Sequence, residues 1–232
     1  MDRSLPMRTR ILLVFATSIE SEVLKNIGGT VSSDGSYLIG NSIISSLVTG
    51  VGGISTAWSM KQWLSQNHYP DLAINAGIAG SYSDNIHVGD VVMTSTDCFA
   101  DLGIETGDKI ITLAEAGMAD PDKFPFKQGV IRADNKFVNE AGKILKKVKG
   151  ITVNTCSGSK VTIERLRKKF NPDIETMESA TFFYICALEK IPFLSLRAIS
   201  NMVEPGNRNS WNIQLALDNL EGKLKELLLL ME

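Results

Sequence analysis

Short apolar runs alternate along this chain with helical patterns, and glycine-rich or acidic segments follow the runs at their C-terminal ends. No other feature restricts the fold as much. Strands separated by helices form a largely parallel, buried sheet with helices against its faces. Residues 11–16, 72–76, 91–95, 151–156, 174–177 and 193–199 read as strands. Residues 37–40 and 42–49 read as a hairpin turning at Gly40-Asn41. Thr17-Ser-Ile-Glu20 has the capping-box form, which predicts a helix from there to about Asn26, stopped by Gly28-Gly29. A second helix follows Gly50-Val-Gly-Gly53, with Ile54, Ala57, Trp58 and Leu64 on its buried face. Asp134 caps a third, reaching about Val148, and residues 161–170, 179–188 and 211–230 complete the helical set. Gly77-Ile-Ala-Gly80 reads as a turn after a strand. Residues 97–128 read as a long irregular loop, the kind that is usually functional or mobile.

Length and charge narrow the function. At 232 residues the chain fits one α/β domain. Its net charge of −2 implies no basic face, which argues against nucleic acid as a partner. No run of 18 apolar residues occurs, so no membrane partner is expected, and the N-terminal apolar run is too short for a leader. Cys98, Cys156 and Cys186 lie far apart and read as reduced, buried thiols of a cytoplasmic protein. The two histidines, His68 and His87, have no cysteine or carboxylate at ligand spacing, so no metal and no cofactor are expected. Neither glycine segment has the dinucleotide or P-loop form, and no G-x-S-x-G is present.

In sheets of this kind ligands sit at the carboxyl ends of the strands. There the chain places Glu20, Gly50 and Gly52, Gly77 and Gly80, Glu178, and Ser200-Asn201. Carboxylates, glycine segments and an amide converging on one rim form the inventory of an active site.

Ile74-Asn-Ala-Gly-Ile-Ala-Gly80 with Val88-Gly-Asp-Val-Val92, Thr176-Met-Glu-Ser-Ala180 and Phe193-x-x-x-Arg-Ala-Ile-Ser-Asn201 resemble the purine nucleoside phosphorylase and nucleosidase superfamily. Within it, Ala100-Asp-Leu-Gly-Ile-Glu105, Glu178-Ser-Ala-Thr-Phe-Phe-Tyr184 and residues 200–211 are similar to the futalosine hydrolase branch. The resemblance implies a three-layer α/β/α sandwich around a mixed, partly barrel-like sheet. It also implies cofactor-free hydrolysis of a ribosyl–purine bond, a small-molecule nucleoside substrate, and a homo-oligomer, dimeric or larger. In the futalosine branch the products are hypoxanthine and dehypoxanthine futalosine, on a route to menaquinone. The alternatives are adenine-releasing nucleosidases and phosphorylases of the same superfamily.

Roles carry over by position. The resemblance puts the ribose hydroxyls on Glu178 and the ribose face on Met177; as plain residues these are a first-turn helix carboxylate and a core methionine. It makes Glu20 the group that activates water, although Glu20 is also the third residue of a capping box. Glu22 is its rival, and on a helix the two lie about 200° apart, so only one can face the site. Asn201 stands where adenine-specific members carry Asp; an amide can read N7 and O6 of a 6-oxopurine but delivers no proton. Thr49, Gly50 and Gly77 are weaker candidates for sugar or water binding; Thr49 serves there or merely ends a strand. No arginine stands near residues 50–53, which favours water over phosphate as nucleophile. Val161 and Thr162 match a segment lining the purine pocket, or form an ordinary first helical turn. A carboxyphenyl arm on the substrate would use Phe124, Phe126 and Trp211 as an apolar slot and Arg208 as its cation.

Overall fold

The computed structural model describes residues 8–107, 109–206 and 208–231. In chain order the elements are β1 (Thr9–Phe15), α1 (Ser18–Ser21), α2 (Val23–Ile27), β2 (Thr30–Val31), β3 (Tyr37–Ile39), β4 (Ser42–Val48), α3 (Gly53–Gln66), β5 (Leu72–Ser81) and β6 (Val91–Asp97). They continue with β7 (Gly103–Thr106), β8 (Lys109–Thr112), β9 (Ile131–Arg132), α4 (Lys136–Ala141), β10 (Lys146–Thr152), α5 (Lys160–Phe170), β11 (Ile174–Thr176), α6 (Ser179–Leu188), β12 (Phe193–Met202) and α7 (Ile213–Leu230).

The main sheet is mixed and closes on itself. Its order is β11-β10-β6-β12-β5-β1-β4-β3-β2, and β11 also pairs with β5. Strands β5, β12, β6, β10 and β11 therefore form a five-stranded barrel, from which β1, β4, β3 and β2 extend as an open wing. Inside the barrel region β12 runs parallel to β5 and antiparallel to β6. Helix α7 packs on β12 and β5 beside α2, while α6 packs on β10 beside α3. This is the expected three-layer α/β arrangement.

Side-chain pattern explains the layers. Ile11 to Phe15 are all buried, as a central parallel strand requires. Helix α7 buries Ala216, Leu217, Leu220, Leu224, Leu227 and Leu228 at helical spacing, each leucine contributing about 1.5–3 kcal/mol.

Several expectations are corrected. Gly77 and Gly80 are not a turn, because β5 continues through both to Ser81. Glycine serves there because other groups approach the backbone closely. A Cβ at Gly77 would lie 2.5 Å from Glu20 Oε1, and one at Gly80 would lie 2.8 Å from a Val203 methyl. Helix α3 buries Thr56, Met60 and Leu64, whereas Ile54 and Trp58 are exposed. The helix expected to reach Val148 starts from an Asn135 cap and ends at Ala141. Turn residues follow, and strand β10 begins at Lys146, with Lys146 and Lys147 exposed and Val148 buried. The 97–128 loop contains the β7–β8 hairpin.

Candidate active site

The capping box at the end of β1 forms as predicted and also aims a carboxylate. Thr17 N–H donates to Glu20 Oε2 at 2.9 Å, and Glu20 N–H donates to Thr17 Oγ1 at 3.2 Å. The other oxygen, Oε1, accepts the Ile78 N–H at 3.0 Å. Glu20 is thus held on both oxygens, buried, against the middle of β5. Its rival Glu22 points to solvent and pairs with Lys25 at 2.8 Å. The capping and site-facing readings of Glu20 are compatible, because one carboxylate does both.

Glu178 caps α6 where β11 ends. Its Oε1 accepts the Gly52 N–H at 3.0 Å, and its Oε2 lies 4.0 Å from Arg197 Nη1. Gly52 sits at φ +89°, a conformation open to glycine, which turns its N–H toward the carboxylate. Burial pushes the Glu178 carboxyl above its ordinary range; Arg197 and the Gly52 N–H oppose this, and Glu20 adds to it. Arg197 is fully buried on β12, where Nη2 donates to Asn75 Oδ1 and Nε to Ser195 Oγ. Arg197, distant in sequence, thus reaches Glu178 from β12. Its guanidinium is committed to Asn75, Ser195 and Glu178. A Cβ at Gly77 would also meet Arg197 Nη1 at 2.7 Å, so glycine lets Glu20 and Arg197 approach one point of β5.

Asn201 follows a register shift in β12 between Ile199 and Asn201. A bulge of this kind re-aims a side chain. Ser200 Oγ donates to Asn201 Oδ1 at 2.8 Å, and Asn201 Nδ2 donates to Met202 O at 3.0 Å. One N–H of the amide is left for another acceptor.

These groups share one cavity of about 600 Å³. Glu20, Met177, Glu178, Asn201, Arg208 and Trp211 line it, together with Val51, Ile78, Gly80, Glu175 and residues 156–158. Arg208 lies over the Trp211 ring at 5.7 Å. Thr49, Gly50 and Gly77 stand behind this lining. Thr49 Oγ1 donates to Phe15 O at 3.2 Å and Gly50 O at 2.9 Å, and a Cβ on Gly50 would touch Ser55.

Other candidates are not brought together. Val161 is exposed on α5, and neither it nor Thr162 lines the cavity; the wall there is residues 156–158, a few positions earlier. Phe124 and Phe126 line a different cavity, with Phe126 against Phe99 and Tyr184. The proposed apolar slot therefore loses both and keeps Trp211. Cys156, expected buried, is exposed at the cavity, while Cys98 and Cys186 are buried. Among the described residues no group of three His, Cys, Asp or Glu could hold a metal ion, and no helix is long and apolar enough to cross a membrane.

Sequence reasoning missed Arg197, Asn75 and Glu175 as members of the site. It placed Gly52 at the rim through its glycine-rich segment, without its bond to Glu178. Arg197 carried one unread signal: an arginine in an otherwise apolar strand must be paired if it is buried.

Comparison with known proteins agrees with this architecture. Residues 15–231 match the family model described as the phosphorylase superfamily. The futalosine hydrolase of Streptomyces coelicolor is 30% identical over 190 residues, covering 78% of each chain. The 5'-methylthioadenosine/S-adenosylhomocysteine nucleosidase of Haemophilus ducreyi is 26% identical over 214 residues, covering 85% of this chain and 87% of that one. The structure of futalosine hydrolase from Helicobacter pylori superposes with a TM-score of 0.79 at 16% identity, covering 96% of this chain and 98% of that one. With its barrel-and-wing sheet and its model match over nearly the whole length, the chain belongs to the phosphorylase superfamily.

Proposed function

We propose that the chain is a nucleosidase that hydrolyses the N-glycosidic bond of futalosine, releasing hypoxanthine and dehypoxanthine futalosine. One observation carries this reading: two buried carboxylates, Glu20 and Glu178, share a cavity with an amide, Asn201. Relatives of both futalosine and methylthioadenosine type support hydrolysis of a nucleoside.

Cleavage of the C1′–N9 bond sends its electron pair to the purine and leaves an oxocarbenium-like ribosyl cation. Glu178, ionised with the help of Arg197 and Gly52, accepts hydrogen bonds from the ribose hydroxyls and stabilises that cation. Met177 packs on the sugar face. Glu20 orients a water and takes its proton as the oxygen bonds to C1′. The remaining N–H of Asn201 donates to N7 or O6 of the base, and the departing purine takes its proton from water. Because Asn201 has no proton to give, a 6-oxopurine is favoured over adenine. Arg208, over Trp211 at the cavity wall, binds the carboxylate of the substrate's arm. The product would then feed menaquinone formation, in the cytoplasm, with the enzyme acting as a homo-oligomer.

The test is incubation with futalosine, its 6-amino counterpart and methylthioadenosine in phosphate-free buffer, with the released base identified by chromatography. Hypoxanthine from futalosine is expected. Adenine as the dominant product would replace this reading with the adenine-releasing one, and turnover only with added phosphate would replace it with a phosphorylase.

A further inference from the structure

The N-terminus of α6 is capped from outside the helix. Glu178 occupies the N-cap position, where a side-chain oxygen ordinarily accepts an N–H of the first turn, yet its carboxylate makes no such bond. It turns instead to Gly52 and Arg197. Two strand hydroxyls take the first-turn donors. Ala180 N–H donates to Thr152 Oγ1 at 2.8 Å, and Ser179 N–H donates to Thr176 Oγ1 at 3.3 Å. Thr152 and Thr176 are register partners in the parallel pair β10–β11, so their side chains stand on one face. Their hydroxyl oxygens are 3.2 Å apart.

Thr152 is held through its backbone and its side chain. Its N–H donates to Cys98 O at 2.8 Å, and its carbonyl accepts the Ala100 N–H at 2.9 Å. Its hydroxyl donates to Asp97 Oδ1 at 2.8 Å. That donation commits the proton, so both lone pairs of Oγ1 are left for Ala180 N–H and Thr176 O–H. Thr176 in turn donates to Thr152 and accepts from Ser179, so each hydroxyl is satisfied. Asp97 is buried at the end of β6, and among the described residues its Oδ2 has no hydrogen-bond partner. Burial pushes the Asp97 carboxyl up to about 7. Oδ2 is the oxygen free to carry that proton, so Oδ1 accepts from Thr152 in either state. Gly150 makes the room: a Cβ there would collide with Asp97 Oδ2 and a Thr94 methyl.

From this arrangement we infer that Thr152, oriented by Asp97, is a positioning residue for the reaction: by capping α6 in place of Glu178 it leaves that carboxylate free to face the ribose. The inference rests on the role proposed above for Glu178 and deepens it. A carboxylate at an N-cap is drawn to the N–H groups of its own helix. A Glu178 that made such a bond would leave Gly52 and Arg197 and withdraw from the cavity. Thr152 and Thr176 occupy the donors at the first two positions and so remove that competition. Neither Thr152 nor Asp97 lines the cavity, so both act through Glu178 and not on the substrate.

Thr152→Val removes the hydroxyl and keeps the β-branched shape, whereas Thr152→Ser keeps the hydroxyl. Two readouts are needed: kcat on the nucleoside that the wild-type chain hydrolyses, and the calorimetric Kd of the free base, which does not depend on Glu178. Thr152→Val is expected to lower kcat by at least about tenfold, toward the roughly hundredfold that misplacement by about 1 Å costs, while Thr152→Ser stays within about threefold of wild type. The Kd of the base is expected to be unchanged in both. Wild-type kcat in Thr152→Val overturns the inference. So does a Thr152→Ser as slow as Thr152→Val, because the lost methyl and not the hydroxyl would then be at work. A parallel loss of base affinity overturns it too and leaves Thr152 as a general support of the cavity. Asp97→Asn, the conservative partner, keeps an acceptor for Thr152, and its kcat is expected near that of Thr152→Ser. A loss as deep as that of Thr152→Val would overturn the part given to the Asp97 hydrogen bond. If Thr152→Val does not fold, Thr152→Cys, whose sulfur is a weak acceptor, must show the same contrast with Thr152→Ser; no contrast overturns the inference. Failure of the underlying reading looks different: Glu178→Gln would itself keep wild-type kcat, whatever the Thr152 variants do.

Discussion

Arg197→Met tests how the site keeps Glu178 charged. Arg197 Nη1 lies 4.0 Å from Glu178 Oε2, and both side chains are buried. At an effective dielectric of about 20 that separation corresponds to roughly 4 kcal/mol of attraction. The guanidinium opposes the upward push of burial and of Glu20 on the Glu178 carboxyl. Without it, Glu178 binds a proton at a higher pH, and the neutral acid no longer stabilises the ribosyl cation. The pH dependence of kcat for base release reads this directly, because its acid limb reports groups in the enzyme–substrate complex. The acid limb is expected to move to higher pH, with kcat at pH 7 falling and kcat above the shifted limb approaching that of wild type. Arg197→Lys keeps the charge but loses the donations to Asn75 and Ser195, and its acid limb is expected to stay near that of wild type. An acid limb unmoved in Arg197→Met, with kcat merely scaled down, would refute the electrostatic reasoning and leave Arg197 as a packing residue.

The remaining expectations are simpler. Gly77→Ala places a methyl 2.5 Å from Glu20 Oε1 and 2.7 Å from Arg197 Nη1; steady-state assays should show at least about a hundredfold loss of kcat, as misplacement by about 1 Å predicts. Glu22→Gln removes only the exposed pairing with Lys25, and its kcat and KM should match wild type, whereas Glu20→Gln should lose about 100–10,000-fold in kcat. Asp97 is fully buried and held by burial at about pH 7 instead of 3.8, although Thr152 Oγ donates to it. Between those values the folded chain binds the proton more than the unfolded chain does, so stability should fall as pH rises from about 4 to 7. Denaturant titrations should show Asp97→Asn flattening that fall, which is on the order of 4 kcal/mol. Arg208→Ala should raise KM for futalosine by about tenfold with kcat little changed; an unchanged KM would remove Arg208 from the carboxylate arm.

The parts of the site readable from sequence were those written in local chemistry. The Thr17–Glu20 capping box is a short-range pattern, and the structure forms both of its hydrogen bonds. The apolar run of β1 and the stripe of α7 announce burial in the same local way. What remained hidden depends on pairing between distant strands. Gly77 and Gly80 look like turn residues in isolation, and only the approach of Glu20, Arg197 and Val203 explains why a straight strand needs them. Barrel closure is equally invisible, because it rests on β11 meeting β5. That contact is also what sets Glu175 opposite Gly80. Ile54 and Trp58 misled because apolar character was taken for burial, while α3 turns Thr56, Met60 and Leu64 inward. Lys146 to Val148 extended a helix on paper, but they open strand β10, which pairs with β6 and β11 in the barrel.

The central claim is that water, activated beside Glu20 and Glu178, captures the ribosyl carbon. Turnover of futalosine in ¹⁸O-enriched water, followed by mass spectrometry of both products, tests it most directly. One heavy oxygen in the anomeric position of the sugar product at early time, before exchange, and none in hypoxanthine is the predicted result. A sugar product that appears only with phosphate, as a ribosyl phosphate lacking the label at its anomeric carbon, would contradict the account.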